Sequence, residues 1–267
     1  MTAAPMEQDR LMAKGLTLAV GERIIQRELS FTVRQGSIFA IMGGSGCGKS
    51  TLLRSMIGLL PPVAGTVSVE GEDYWAASET RRSEISRRFG IVFQNGALWS
   101  SMTVGDNVAL PLQMFTRLDA AAIDALVQLK LSLVGLGRAV DAMPAELSGG
   151  MRKRAGIARA LALDPDTLFF DEPSAGLDPV TSKRLDDLIL ELRDGLGATI
   201  VIVSHELASL FAICDDGIFL DATARRAIAH GAPRMLRDAC DHPTVRAFMN
   251  RERPEQSTGA GASDGQS

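Results

Sequence analysis

The chain has 267 residues, with 28 lysines and arginines against 32 aspartates and glutamates, which gives a formal net charge of −4. A chain of this length can bury a sizeable hydrophobic core without disulfides or structural metals. The slight acidic excess argues against bulk binding of nucleic acid and against attachment to an anionic membrane by charge alone. The cysteines, three in number, have no metal-like spacing, and the sequence has neither a signal peptide nor an apolar run of about 18 residues. A protein of a reducing cytoplasm is therefore expected.

Strand-like and helix-like segments alternate along the chain, which predicts an α/β fold with a mainly parallel sheet. The first segment, residues 16–33, is instead typical of an antiparallel pair of strands with a turn at Gly21. It predicts an N-terminal antiparallel β subdomain. The elements expected next are a strand at 37–42, a helix at 49–58, and strands at 65–69 and 90–93.

From about residue 104 to residue 163 the sequence becomes rich in alanine and leucine, which indicates an inserted α-helical subdomain. A strand, a helix and a strand are expected again at 167–170, 180–196 and 198–203, so the sheet resumes after the insert. The folded domain is expected to cover residues 9–249. Residues 252–267 are small, polar and rich in glycine, which predicts a disordered tail.

The segment GGSGCGKS at residues 43–50 fits the pattern G-x-x-x-x-G-K-[ST] at every fixed position. Between a strand and a helix, such glycines let backbone N–H groups surround phosphates at the positive end of the helix dipole. Lys49 would reach the β- and γ-phosphates of ATP, and the Ser50 hydroxyl would bind Mg²⁺. The alternative is a glycine-rich turn with a lysine by chance. The predicted ATP-binding residues of this P-loop NTPase core are Gly43, Gly44, Ser45, Gly46, Cys47, Gly48, Lys49, Ser50 and Thr51.

A second candidate site is LFFDEP at residues 168–173, an apolar strand that ends in Asp171 and Glu172. A carboxylate at the end of a buried strand beside a phosphate loop can hold Mg²⁺ through water, which is the role expected of Asp171. Glu172 can accept a proton from the attacking water. The alternative is a helix N-cap followed by first-turn acids.

A third segment, LSGGM at residues 147–151, opens a helix with a serine and two glycines. Such a helix start is a second anion-binding end, although a simple capped turn would have the same sequence. The order of all the features is more specific than any one of them. Gln94 lies between the phosphate loop and LSGGM, and His205 follows the apolar strand after Glu172, where such sheets bind ligands.

In this order the motifs resemble those of the nucleotide-binding subunits of ABC transporters, over roughly residues 11–250. The resemblance implies an ATP hydrolase that acts as a head-to-tail homodimer. In that dimer the signature residues of one chain close on the ATP held by residues 43–51 of the other chain. The signature residues are Leu147, Ser148, Gly149, Gly150 and Met151.

The resemblance also implies roles for single side chains. Glu172 is expected to be the general base, and His205 to position the γ-phosphate and the water. Gln94 is expected to contact Mg²⁺ and water and to be coupled to the membrane subunit, while Asp178 is expected to contact the partner chain. The family often stacks adenine on an aromatic residue, but residues 18–21 contain none, so apolar contact by Val20 is expected instead.

Three features resemble one subgroup, the ATPases of Mla-type, MCE-associated phospholipid transporters of the bacterial envelope. They are Met151 in the signature, the segment after Gln94, and HPTVRAFMN at 242–250. That resemblance implies integral permease subunits, an MCE-domain protein and a small accessory subunit as partners, and no nucleic acid. It implies a peripheral location on the cytoplasmic face of the inner membrane. Residues 89–105 carry no charge, and we interpret residues 97–103 as the permease-docking surface rather than as a buried strand and helix start.

Three other functions are compatible with parts of the pattern. An ABC importer or exporter for another solute would use the same chemistry. A soluble ABC ATPase that acts on nucleic acid or ribosomes would usually carry two ATP modules or a long coiled coil, and this sequence has one module and no sustained heptads. A non-hydrolysing scaffold would be expected to lack Glu172 or Lys49, and both are present.

Overall fold

The computed structural model describes residues 8–94 and 96–251, and those ranges contain ten strands and nine α-helices. The first half comprises β1 (Asp9–Val20), β2 (Arg23–Arg34), β3 (Ile38–Gly43), α1 (Lys49–Met56), β4 (Ala64–Val69), β5 (Glu72–Asp73), α2 (Glu79–Ser86), β6 (Phe89–Val92), α3 (Val104–Phe115) and α4 (Ala120–Leu133). The second half comprises α5 (Gly149–Ala160), β7 (Thr167–Asp171), α6 (Pro179–Leu196), β8 (Thr199–Val203), α7 (Leu207–Ile213), β9 (Asp216–Asp221), β10 (Arg226–His230), α8 (Pro233–Ala239) and α9 (Pro243–Met249).

The strands form two sheets. An antiparallel sheet has the order β2-β1-β4-β5, and a six-stranded sheet has the order β10-β9-β3-β8-β7-β6. Within the larger sheet the pairs from β9 to β6 are all parallel, and only β10 pairs antiparallel to its neighbour. The predicted α/β fold, with an antiparallel sheet beside a mainly parallel one, is confirmed.

The central strands of the larger sheet are apolar because both of their faces are covered. All five residues of β8 are buried, as are all six of β3. Near-continuous apolar sequence is expected of parallel strands with both faces buried. Phe169 and Phe170 of β7 show the alternation: Phe169 packs in the core with the antiparallel sheet and α1, whereas Phe170 packs in the core that includes α3, α4 and α5.

The helices α3, α4 and α5 occupy the region where the sequence predicts a helical insert. Buried residues of these helices, including Val108, Leu131 and Ile157, share one hydrophobic cluster with Phe170 and Ile202 of the sheet. The helical region therefore packs directly on the strands whose ends carry the candidate site. This contact gives α5 a fixed position relative to β7.

Several elements were not predicted from the sequence, namely α2, α7, α8, α9, β5, β9 and β10. The antiparallel pair is also longer than predicted, since β1 begins at Asp9 and not near residue 16. The predicted tail at 252–267 lies outside the described residues. Among residues 8–94 and 96–251, none of the helices combines the length and the apolar character that crossing a membrane requires.

Candidate functional site

The carboxyl ends of β3, β8 and β7 lie side by side at one edge of the larger sheet. Strand β3 leads into the glycine-rich loop, β7 ends at Asp171, and β8 ends at Val203, two residues before His205. In open α/β sheets, ligands bind in the crevice at the carboxyl ends of the strands. The topology thus brings together three motifs that are far apart in sequence.

A cleft of about 630 Å³ opens at this edge. Its walls contain the glycine-rich loop and three polar side chains that come from distant segments. The lining residues are Ile25, Gly43, Gly44, Ser45, Gly46, Gly48, Lys49, Ser50, Thr51, Gln94, Glu172, His205 and Phe248. The cleft therefore has room for a nucleotide, and most of the predicted ATP-binding and catalytic residues face it.

The glycine-rich loop has a backbone shape that side chains would prevent. Gly43 has φ +139°, and a Cβ there would lie 2.3 Å from the carbonyl oxygen of Leu220. Gly48 has φ +99°, and its Cβ would lie 2.5 Å from a methyl group of Ile25. Only glycine fits at these two positions, and Gly48 stands immediately before α1, so the N-terminus of that helix faces the loop.

Lys49 and Cys47 occupy opposite environments within the loop. The Lys49 ammonium donates hydrogen bonds to the carbonyl oxygens of Gly43 at 2.9 Å and of Gly44 at 3.0 Å, so it lies over the loop. Cys47 is buried in the core, and this burial raises the pKa of its thiol. A buried thiol with a raised pKa is a poor nucleophile, so Cys47 acts as a small packing residue.

Ser50 and Asp171 meet on the floor of the site, where the Ser50 hydroxyl lies 3.5 Å from Oδ1 of Asp171. Burial raises the pKa of Asp171, and the neighbouring negative charge of Glu172 raises it further. A hydroxyl, a carboxylate and the Gln94 amide are hard oxygen ligands, and a divalent cation would offset the two adjacent negative charges. This donor set fits Mg²⁺ that is also bound by phosphate and water. The described ranges contain no cluster of three or more His, Cys, Asp or Glu that could hold a metal ion on its own.

Glu172 and His205 form a pair in the cleft. Nδ1 of His205 lies 2.8 Å from Oε1 of Glu172, while Oε2 of Glu172 is buried and has no hydrogen-bond partner. The Glu172 backbone has φ +51°, and its N–H donates to the carbonyl oxygen of Val203 at 2.8 Å. A left-handed backbone costs a non-glycine residue roughly 1–2 kcal/mol. Six other described non-glycine residues share this conformation, but Glu172 is the one of them that lines the cleft. The carboxylate of Glu172 lines the cleft, so it can accept a hydrogen bond from a water molecule bound there.

The signature residues and Asp178 lie outside this cleft. Ser148 caps α5 by accepting a hydrogen bond from the Met151 N–H at 3.2 Å, and Asp178 caps α6 in the same way. The two caps are neighbours, since a Cβ on Gly150 would lie 2.5 Å from a methyl group of Thr181 in the first turn of α6. Gln94 and His205 line the cleft together with the glycine-rich loop. Ser148 and the two signature glycines of the same chain are not among the residues that line it.

Two apolar residues of the cleft were missed in the sequence. Ile25 lies on β2 and Phe248 on α9, and both line the cleft, whereas Val20 is 57% exposed and is not among the lining residues. Phe248 could have been found from the sequence, because it lies in the HPTVRAFMN segment that the subgroup resemblance includes. Ile25 had none, because the packing of β2 on the glycine-rich loop is a long-range contact.

A comparison with protein families matches residues 26–175 to the family described as ABC transporter. The chain belongs to the ABC transporter family. It is 44% identical over 230 residues to the "Intermembrane phospholipid transport system ATP-binding protein MlaF" of Escherichia coli strain K12, an alignment that covers 86% of this chain and 84% of that protein. It is 40% identical over 239 residues to the "Probable ribonucleotide transport ATP-binding protein mkl" of Mycobacterium tuberculosis strain H37Rv, covering 90% of this chain and 66% of that protein.

Among solved structures, the fold matches the ATP-binding cassette MJ0796, described as a dimer in a post-hydrolysis state bound to ADP and Pi. The TM-score is 0.74 at 28% sequence identity, and the match covers 82% of this chain and 97% of that one. As a member of this family, the chain is an ATP-hydrolysing subunit of an ABC transporter.

Proposed function

We propose that this chain hydrolyses ATP to move phospholipid across or between the membranes of a bacterial envelope, as the ATPase of an Mla-type transporter. The cargo assignment rests on the 44% identity to MlaF, which extends over 86% of the chain and so includes far more than the nucleotide motifs. The hydrolytic mechanism rests on the geometry of the cleft.

In the proposed mechanism the β- and γ-phosphates of ATP lie in the glycine-rich loop beside Lys49. Mg²⁺, when bound, supplies positive charge that stabilises the transition state of the γ-phosphoryl group. Ser50, Asp171 and Gln94 would hold this ion. Glu172 would accept a proton from the attacking water, because its carboxylate lines the cleft beside the glycine-rich loop and is held there by His205.

His205 would complete the site from the end of β8. Its ring is held by Glu172 through Nδ1, which leaves Nε2 available for the γ-phosphate or the water. Because the imidazole is half exposed in the open cleft, it can contact a ligand without a rearrangement of β8. Glu172 and His205 would therefore act as a pair.

We further propose that the functional unit is a homodimer with two shared ATP sites. Ser148 and the signature glycines do not face the cleft of their own chain, and their helix N-terminus suits an anion. A second copy placed head to tail would receive this end on its ATP, with Asp178 beside it. The dimeric MJ0796 relative supports this arrangement.

The proposed partners are integral permease subunits, an MCE-domain protein and a small accessory subunit, with the ATPase located at the cytoplasmic face of the inner membrane. Residues 97–103 are the proposed docking surface for the permease. Trp99 in this segment is 60% exposed, and the buried strand of the alternative interpretation ends earlier, at Val92. The helix start of that interpretation is present, because Thr103 is the N-cap of α3.

A second candidate cargo is a ribonucleotide, which is favoured by the 40% identity to mkl. The two cargoes can be separated directly. The chain is assembled with its permease subunits and reconstituted in vesicles, and ATP-driven movement of a fluorescent phospholipid and of a radiolabelled ribonucleotide is measured.

We expect ATP-dependent transfer of the phospholipid and none of the ribonucleotide. The matched inactive protein is Glu172→Gln, which should bind ATP but lose hydrolysis by about 10²–10⁴-fold, the usual contribution of a general base. Movement of the ribonucleotide alone would contradict the lipid cargo. A wild-type rate of hydrolysis in Glu172→Gln would contradict the assignment of the base.

A further inference from the structure

Lys153 is a buried lysine on α5 whose ammonium faces main-chain oxygens. The residue is only 6% exposed, and its Nζ donates hydrogen bonds to the carbonyl oxygens of Pro173, of Ala175 at 2.7 Å and of Glu172 at 3.4 Å. All three acceptors belong to the turn that follows β7. The three donors of an ammonium thus match three carbonyl oxygens of one short segment.

We propose that Lys153 is a positioning residue for Glu172. The turn that it holds begins with the strained left-handed backbone of Glu172. Such a conformation persists only when surrounding contacts over-determine it. One contact is the hydrogen bond from the Glu172 N–H to the carbonyl oxygen of Val203. On the carbonyl side, Glu172 accepts from the Ala175 N–H at 3.3 Å and from the Lys153 ammonium, which also ties the carbonyl oxygens of Pro173 and Ala175 to α5.

The cost of burying this charge supports the proposal. Burial lowers the pKa of Lys153, while the negative charge of Glu172 opposes that shift. Burying an ammonium destabilises the folded protein unless its hydrogen bonds are satisfied. Hydrogen bonds from a charged donor are about twice as strong as those between neutral groups. The Lys153 ammonium therefore interacts with Glu172 twice: it donates a hydrogen bond to the backbone carbonyl oxygen, and it is attracted by the negative charge of the carboxylate.

The helix that carries Lys153 also links this turn to two other functional segments. Its N-cap is Ser148, five residues before Lys153, at the end proposed to close on the partner's ATP. Near its other end, Arg159 donates hydrogen bonds to the carbonyl oxygens of Gly96 at 3.0 Å and of Ala97 at 2.6 Å, two and three residues after Gln94. A displacement of α5 at either end would reach Glu172 through the Lys153 ammonium.

Lys153 itself does not line the cleft. Its loss should therefore slow the chemical step without weakening ATP binding. Lys153→Met keeps the length and apolar stem of the side chain and removes the ammonium. In the assembled transporter, we expect kcat for ATP hydrolysis to fall about 10-fold, a fraction of the 10²–10⁴ that a general base contributes, while KM changes less than about 2-fold.

A double-mutant cycle tests whether the effect passes through Glu172. Residues that act as a unit are not additive, so Lys153→Met should leave the residual hydrolysis of Glu172→Gln within about 2-fold. The matched control is Arg154→Met, because Arg154 is the next residue on α5 and donates to the carbonyl oxygen of Val134, away from the turn. That control should keep the kcat of the wild type.

The proposal rests on Glu172 as the base and is independent of the lipid cargo. A wild-type kcat in Lys153→Met would overturn it, as would an equal loss of activity in the wild-type and Glu172→Gln backgrounds, which is the signature of a merely structural role. A fully active Glu172→Gln would instead overturn the assignment of Glu172 as the base. The activity of that single variant therefore distinguishes a failure of the base assignment from a failure of the role proposed for Lys153. If Lys153→Met does not fold, the cycle is run with Lys153→Gln, whose shorter and uncharged side chain loses the charge-assisted hydrogen bonds to the turn and should show the same non-additivity.

Discussion

Trp99→Glu should separate the proposed docking surface from the core of the protein. The shape of the segment around Trp99 is set by Asn107, a fully buried residue of α3. Its Oδ1 accepts a hydrogen bond from the Trp99 N–H at 2.8 Å, and its Nδ2 donates to the carbonyl oxygens of Trp99 at 3.1 Å and Thr103 at 2.8 Å. These bonds involve the Trp99 backbone and not its ring, so the substitution should leave the segment folded.

The size of the effect on docking follows from the exposed area. A tryptophan buries about 150–250 Å² when it is fully covered. Trp99 is 60% exposed, so a partner can cover roughly 90–150 Å² of it, which corresponds to about 2–4 kcal/mol at 25 cal/mol per Å². That is roughly a 30- to 700-fold loss of affinity. A carboxylate left unpaired in the interface would cost on the order of 2–5 kcal/mol more.

The assay compares thermal stability and ATP binding of the isolated subunit with its co-purification with the permease and with ATP-driven lipid transfer in vesicles. We expect the first two to stay near wild type, co-purification to weaken and transfer to be abolished. Met235→Glu is the matched control, because Met235 on α8 is 62% exposed and lies outside the segment. An unfolded Trp99→Glu would mean that the residue is core, and normal assembly and transport would place the docking surface elsewhere.

Two further predictions concern the dimer and the pH dependence of stability. Ser148→Arg, in the Glu172→Gln background that retains ATP, should bind nucleotide but give no ATP-dependent dimer by light scattering; a dimer as abundant as without the substitution would exclude a shared site. Asp186 of α6 is buried and accepts from the Ser209 hydroxyl at 2.9 Å, and its burial raises its pKa. Because the folded protein then holds this proton more tightly than the unfolded chain, the free energy of unfolding relative to Asp186→Asn should fall as pH rises from about 4 towards the raised folded pKa. Urea titrations across this range measure the free energy of unfolding of both proteins. A difference between them that stays constant with pH would contradict a raised pKa for Asp186.

Much of the fold could be predicted because its signals are local. Apolar runs such as β8 identify strands buried on both faces, and the serine and glycines before α5 identify a helix start. The glycine-rich loop is also a local feature, since the left-handed backbone at Gly48 restricts the residue type at that position. Elements with weak patterns, such as the two-residue β5, were missed because they depend on pairing with β4.

The sequence by itself determined the chemistry that is available: a phosphate loop with Lys49, two acids after a buried strand, and a histidine after another. Only the tertiary structure decided that Oε1 of Glu172 is paired with His205 and that Lys153 holds the turn of the base. The physical reason is that these contacts depend on the order and register of β3, β8 and β7 and on how α5 packs against them. Those are long-range properties, and no local periodicity encodes them.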